Sequence, residues 1–171
     1  GLPIYYGQAM SESAEHALDL SEIGYLFACT DNDAYNALVC TRFGNELGRN
    51  RVFQLPIATG SDEDSKGVVP SLRGTQLSAQ WEYDELLRRF FQGWRFQRTR
   101  LTEDYTLEDY RAGAGGEAMV LLTVDEDAEL HIATASRELV PEAGETLVAF
   151  LPERQREKTP PGINMPKPDV A

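Results

Sequence analysis

Gly24-Tyr25-Leu26-Phe27-Ala28-Cys29-Thr30-Asp31-Asn32-Asp33 is followed by Tyr35, Leu38, Val39, Phe43 and Leu47, then by Gly48, and then by Arg51-Val52-Phe53-Gln54-Leu55-Pro56. The residues from Gly24 to Cys29 are almost continuously apolar, the pattern of a strand buried on both faces. Thr30 suits a helix N-cap with Asp33 three residues on as its acidic partner, and the apolar residues from Tyr35 to Leu47 recur at helical spacing. Gly48 closes that helix, and Pro56 stops the second strand. Strand, helix and strand joined by short loops make a βαβ unit, so a right-handed crossover and a parallel strand pair are expected.

Upstream, Pro3 to Tyr6 reads as a short strand broken by Gly7, and Ser11 with Glu12 and Glu15 starts a polar helical turn toward Leu18. Downstream, residues 57–75 carry Gly60, the acidic run Asp62-Glu63-Asp64, Gly67, Pro70 and Gly74, the composition of a linker. In residues 76–152, Ser78 caps a helix whose apolar face is Tyr83, Leu86, Leu87, Phe90 and Phe91, closed by Gly93. Strand patterns follow at Trp94 to Leu101, Ala118 to Val124, Glu129 to Thr134 and Thr146 to Leu151. Residues 153–171, with Pro160, Pro161, Pro166 and Pro168, read as a disordered tail. The expected class is therefore α/β: a partial Rossmann-like parallel βαβ unit in residues 1–56, and a small α+β domain with an antiparallel meander.

With 171 residues the chain holds one ordinary domain or two small ones. Its 16 basic and 28 acidic residues sum to −12, a charge that a phosphate backbone repels, so nucleic acid is not an expected partner. Cys29 and Cys40 are too few for a disulfide framework and sit among apolar neighbours, as small core residues of a reducing compartment do. The longest apolar run, Ala118 to Val124, is far short of the ~20 residues of a membrane span. The chain opens on Gly1 rather than Met, directly in an apolar stretch, as a segment of a longer polypeptide would.

Thr30-Asp31-Asn32-Asp33 is the best-placed ligand contact, because open α/β sheets bind ligands outside the carboxyl ends of their strands. The plainer reading, an N-cap with acids favoured by the helix dipole, is the stronger one on residue chemistry alone. Gly113-Ala114-Gly115-Gly116-Glu117-Ala118 matches a dinucleotide fingerprint only on paper, since polar residues precede it and a strand follows. Asp62-Glu63-Asp64 lacks the glycine and terminal glutamate of a calcium loop. His16 and His131 have no Cys, Asp or Glu at ligand spacing and read as structural or exposed, so no metal is expected. No nucleophile-elbow serine and no HExxH is present, so no catalytic residue stands out. Arg88, Arg89, Arg95, Arg98 and Arg100, interleaved with Phe90, Phe91, Trp94 and Phe96, form one basic island. It suits an anionic membrane surface or acidic partner, but the plainer reading, a helix end followed by a charged edge strand, is the stronger one.

Tyr6-Gly7-Gln8-Ala9, Leu18-Asp19-Leu20 with Ile23-Gly24, Ala28 to Asp33 with Asn36 and Ala37, and Gly48-Arg49-Asn50-Arg51-Val52 together resemble the second half of an RCK, or TrkA-N, domain. The opening Gly-Leu-Pro-Ile-Tyr-Tyr-Gly and the run Gly48 to Pro56 are similar to the cytoplasmic C-terminal regions of bacterial cation:proton antiporters of the NhaP type. Leu121 to Asp127, Leu130, Pro141 and Gly144 to Phe150 resemble the TrkA-C-like end of those tails. Two features depart from the family: its first strand, glycine-rich loop and acidic ribose contact have no counterpart here, and Gln8 stands where Asp is common. The resemblance implies a non-enzymatic regulatory domain on the cytoplasmic side of a bacterial inner membrane. It would be attached to the transmembrane transport domain of the same polypeptide, homodimeric, and modulated by a ligand or ion. No cofactor is implied beyond an adenine nucleotide facing Gly7, Gln8, Ala9, Ala28, Cys29, Thr30 and Asp31. The alternative is a free-standing nucleotide-binding module or small enzyme with its ligand at the Thr30 edge.

Overall fold

The computed structural model describes residues 4–17, 21, 23–56, 72–114 and 118–153. Helix α1 (Glu12–Ala17) leads to strand β1 (Leu26–Ala28), helix α2 (Asp33–Leu47) and strand β2 (Val52–Gln54). Leu26, Phe27 and Ala28 pair in parallel with Val52, Phe53 and Gln54, which is the expected βαβ unit. A third parallel strand, β3 (Thr75–Gln76), adds to β2, so the end of the stretch that reads as linker belongs to this sheet. Gly74 explains that approach. A Cβ there would lie 2.6 Å from the Cys40 sulfur and 3.2 Å from the Val52 carbonyl, so only glycine lets this chain lie so close to α2. Most of the linker, Leu18 to Leu20, the Gly115-Gly116-Glu117 part of the glycine fragment and the tail from residue 154 lie outside the described residues.

Helix α3 (Tyr83–Phe91), strand β4 (Trp94–Arg100), helix α4 (Leu107–Gly113) and strands β5 (Met119–Val124), β6 (Leu130–Ile132) and β7 (Thr146–Pro152) follow. Their antiparallel sheet has the order β4-β7-β5-β6, which refines the plain meander: the last strand inserts between β4 and β5. β7 is the most buried of these strands, as its position between β4 and β5 requires. Gly93 and Gly144 take positive φ, 92° and 96°, at the entries to β4 and β7.

One core joins the sheets. Phe53 and Leu55 from the parallel side pack in a single buried cluster with Leu77, Trp81, Trp94, Met119, Ile132 and Phe150. A second cluster, with Ala28, Val39, Cys40, Phe43 and Val52, lies between the parallel sheet and α2. A third, with Leu101, Tyr110, Leu147, Ala149 and Leu151, lies under α4. Helix α4 has no apolar stripe long enough to announce it, yet Thr106 and Asp109 form a complete capping box at its start.

Several expectations need correction. Residues 4–6 form no strand, because Tyr5 turns back so that its hydroxyl lies 3.2 Å from Ser11 Oγ and its ring covers Gly7. The N-cap of α2 is Asn32, whose side chain accepts from the Tyr35 amide at 2.9 Å, and Thr30 is engaged elsewhere. Drawing Asn36 inward rotates the buried face of α2 to Asn36, Ala37, Val39, Cys40, Phe43 and Gly44, which leaves Leu38 53% exposed. Ser78 precedes one 3₁₀ turn (Ala79–Trp81), and α3 starts after Glu82. On α3 only Tyr83 and Leu86 pack onto the core, whereas Leu87, Phe90 and Phe91 face solvent.

Candidate functional site

At the carboxyl edge of β1 the chain turns through Cys29, Thr30 and Asp31 into α2. Asn36, fully buried, holds this turn with three bonds. Its Oδ1 accepts the Thr30 amide at 3.1 Å and the Thr30 hydroxyl at 2.7 Å, and its Nδ2 donates to the Thr30 carbonyl at 2.9 Å. The Asn32 amide in turn donates to Thr30 Oγ1 at 3.2 Å. The polar groups that the sequence offers to a ligand are thus largely committed to one another, and they hold the turn rigid. Ala9, from the Gly7-Gln8-Ala9 segment, packs against the cluster that contains Ala28.

One strand inward, in register with Ala28, Gln54 is fully buried. Its Oε1 accepts the Gly74 amide at 2.9 Å, while its Nε2 has no partner among the described residues. A buried N–H without an acceptor costs about 1–3 kcal/mol. Nothing in the sequence signals it, because a glutamine inside an apolar strand reads as a polar interruption. Cys29 is exposed as a residue, not the core residue expected, yet loss of water around its thiol pushes the pKa up to about 11. Cys40 is buried and its thiol is raised to about 11 by the same cause. Both therefore stay protonated near neutral pH and neither is a nucleophile there.

The arginine island divides. Glu85 binds both Arg88, at 2.6 Å, and Arg89, and these two partners hold its carboxyl below the usual range. Arg89 lies 4.3 Å from the centre of the Trp94 ring and Arg95 lies 4.7 Å from that of Phe90, whose carbonyl Arg95 also reaches. Arg98 and Arg100 sit farther along β4, about 16 Å from Arg95 to Arg100 at the rise of a strand. Arg100 pairs with Glu126 at 3.6 Å. Phe90, Phe91 and Phe96 stand exposed among the first three arginines, Phe91 by 79%. β4 is an edge strand of its sheet, which fits the charged-edge reading of the same residues.

His131 is not isolated. Its Nε2 lies 3.0 Å from Asp125 Oδ2, and Glu129 stands beside both. Asp125 is six residues away, a separation with meaning only once the β5–β6 hairpin pairs. The His16 side chain lies outside the described set. A cavity of about 610 Å³ opens between α4 and residues 133–139, lined by Tyr110, Arg111, Val120 and Leu139 among others. Arg111 at its rim is paired with Glu138 at 2.9 Å. The glycine fragment follows helix α4 rather than a strand, so it does not have the setting of a phosphate loop. No helix among the described residues is long and apolar enough to cross a membrane.

No family model matches the chain, and no curated protein is similar to it. Among solved structures, the chain is similar to one titled crystal structure of the GsuK RCK domain, at 11% identity and a TM-score of 0.34. The likeness covers 89% of this chain and 35% of that one, so the chain spans about a third of that neighbour's length.

Proposed function

We propose that the chain is a regulatory domain of a membrane cation:proton antiporter, which senses a ligand or ion and biases the transport domain of the same polypeptide. The observation that carries this reading is the shared core. Phe53 and Leu55, on the strand next to β1, pack in one cluster with Trp81, Trp94 and Phe150 of the second sheet. A ligand that shifts the β1 edge therefore acts on a body packed continuously into the antiparallel sheet. Such a shift becomes regulation when the ligand prefers one of two arrangements. The closed Thr30–Asn36 turn and the protonated thiols favour binding over chemistry. A homodimer would use the outer edge of β1, which no described strand covers.

Two observations test the reading. The coding sequence ahead of Gly1 should encode around ten or more apolar spans of ~20 residues. A start codon directly before Gly1 would exclude it. Thermal-shift measurements with ATP, AMP, NAD and NADH address the ligand, because a nucleotide at ~100 times its Kd adds about 2.7 kcal/mol. No shift with any of them removes the adenine-nucleotide version and leaves an ion as the signal. The exposed Phe91 beside Arg88, Arg89 and Arg95 favours a contact with anionic lipid. Anionic vesicles should then retain the chain at low salt and release it at high salt, and no retention at low salt rules that contact out.

A further inference from the structure

We propose that Asp125, Glu129 and His131 bind one divalent transition-metal ion of the zinc, cobalt or nickel class at the β5–β6 hairpin. The inference is independent of the antiporter reading. The hairpin register builds the site. Thr123 pairs with His131 and Val124 with Leu130, and the Asp125 amide donates to the Glu129 carbonyl at 3.1 Å. Side chains alternate along strands, so Asp125, Glu129 and His131 fall on one face of the hairpin. One ligand atom from each of the three lies within 4.8 Å of the others.

The two oxygens of Asp125 do different work. Oδ1 accepts the amides of Asp127 at 3.0 Å and Glu129 at 2.8 Å, which fixes the carboxylate. Oδ2 is thereby aimed at His131 Nε2, 3.0 Å away. Donors about 2.0–2.2 Å from a common ion in tetrahedral or octahedral geometry stand roughly 3–3.6 Å apart, so this pair is already spaced as two ligands of one metal. Glu129 is exposed and closes on the ion by a side-chain rotation. The ion takes the place of the proton between Asp125 and His131, and water fills the positions that face solvent.

The donor set decides the class of ion. An imidazole nitrogen with two carboxylates suits zinc, cobalt or nickel, whereas calcium and magnesium prefer oxygen alone. Asp125, Glu126, Asp127 and Glu129 concentrate negative charge in the turn, and among the described residues Arg100 answers only Glu126. Cations are drawn to this end of the sheet.

The test is calorimetric titration of zinc chloride, and separately of calcium chloride, into the 171-residue chain in a non-chelating buffer. The expected result is one equivalent of zinc at micromolar affinity, with calcium much weaker. His131→Ala and Asp125→Asn should each weaken zinc by about tenfold or more while Cys29→Ser leaves it unchanged. Circular dichroism checks that each variant is folded, and His131→Gln replaces His131→Ala should that one fail. Cobalt adds an optical readout, since bound cobalt takes on visible bands that the free ion lacks. The proposal is overturned by no zinc binding at millimolar concentration, by calcium binding as tightly as zinc, or by unchanged affinity in the folded His131 variant.

Discussion

The carboxyl edge of β1 and the tip of the β5–β6 hairpin contrast in how far their polar groups are committed. At the β1 edge Asn36 is fully buried and ties down the amide, hydroxyl and carbonyl of Thr30. At the hairpin, Asp125, Glu129 and His131 meet at the surface, joined by one side-chain bond between Asp125 and His131. Thr30, a candidate ligand contact in the sequence, is thus also held in a structural clamp. A histidine that reads as isolated stands beside two carboxylates.

The sharpest way to break the contrast is to remove the clamp. Asn36→Ala removes the three bonds that a buried side chain makes to half-buried Thr30, and is expected to cost about 1–3 kcal/mol in denaturant unfolding. A cost below about 0.5 kcal/mol would mean that the edge is as open as the hairpin. Next in size is thiol reactivity beside the clamp. A thiol with a pKa of about 11 holds about two orders of magnitude less thiolate at pH 7 than a free cysteine, so Cys29 should label correspondingly slowly and speed up until the pH nears 11. Fast labelling at pH 7 would place Cys29 in an open, activated site.

The matching change at the hairpin should be mild. His131→Ala without metal is expected to shift stability by about 0.5 kcal/mol or less, as for a surface pair. The smallest effect is in acid. Backbone amides, that of Glu129 foremost, and then His131 hold the Asp125 carboxyl below its ordinary pKa. A carboxylate lowered on folding stabilises the fold above its unfolded pKa and loses that contribution as pH falls through the folded value. Asp125→Asn should therefore flatten the fall of Tm with pH below about pH 4, and an unchanged slope would remove Asp125 from that balance.

The contrast also marks how much of the molecule was legible in the sequence. The βαβ unit was plain, because Gly24 to Cys29 is a nearly unbroken apolar run and the helix after it ends at a glycine with φ of 96°. The four-stranded sheet was visible as alternating segments, yet its order was not, since the placement of β7 depends on long-range pairing. Thr30 and Asn36 were legible as residues but not as partners. Asp125 and His131 meet only through the hairpin register, and the Gln54 amide, unpartnered among the described residues, lies in a strand whose burial depends on long-range pairing. The arginines read as one island because they are close in sequence. Their separation follows from the turn at Gly93: Arg88 and Arg89 pair with Glu85 within α3, while β4 carries Arg98 and Arg100 away.

The most direct test of the regulatory reading is cation-driven proton exchange in membrane vesicles that carry the full-length gene product, with and without residues 1–153. Both forms should exchange, and loss of the segment should change the dependence of exchange on cation concentration. Identical activation curves, or no exchange by either form, would contradict the account.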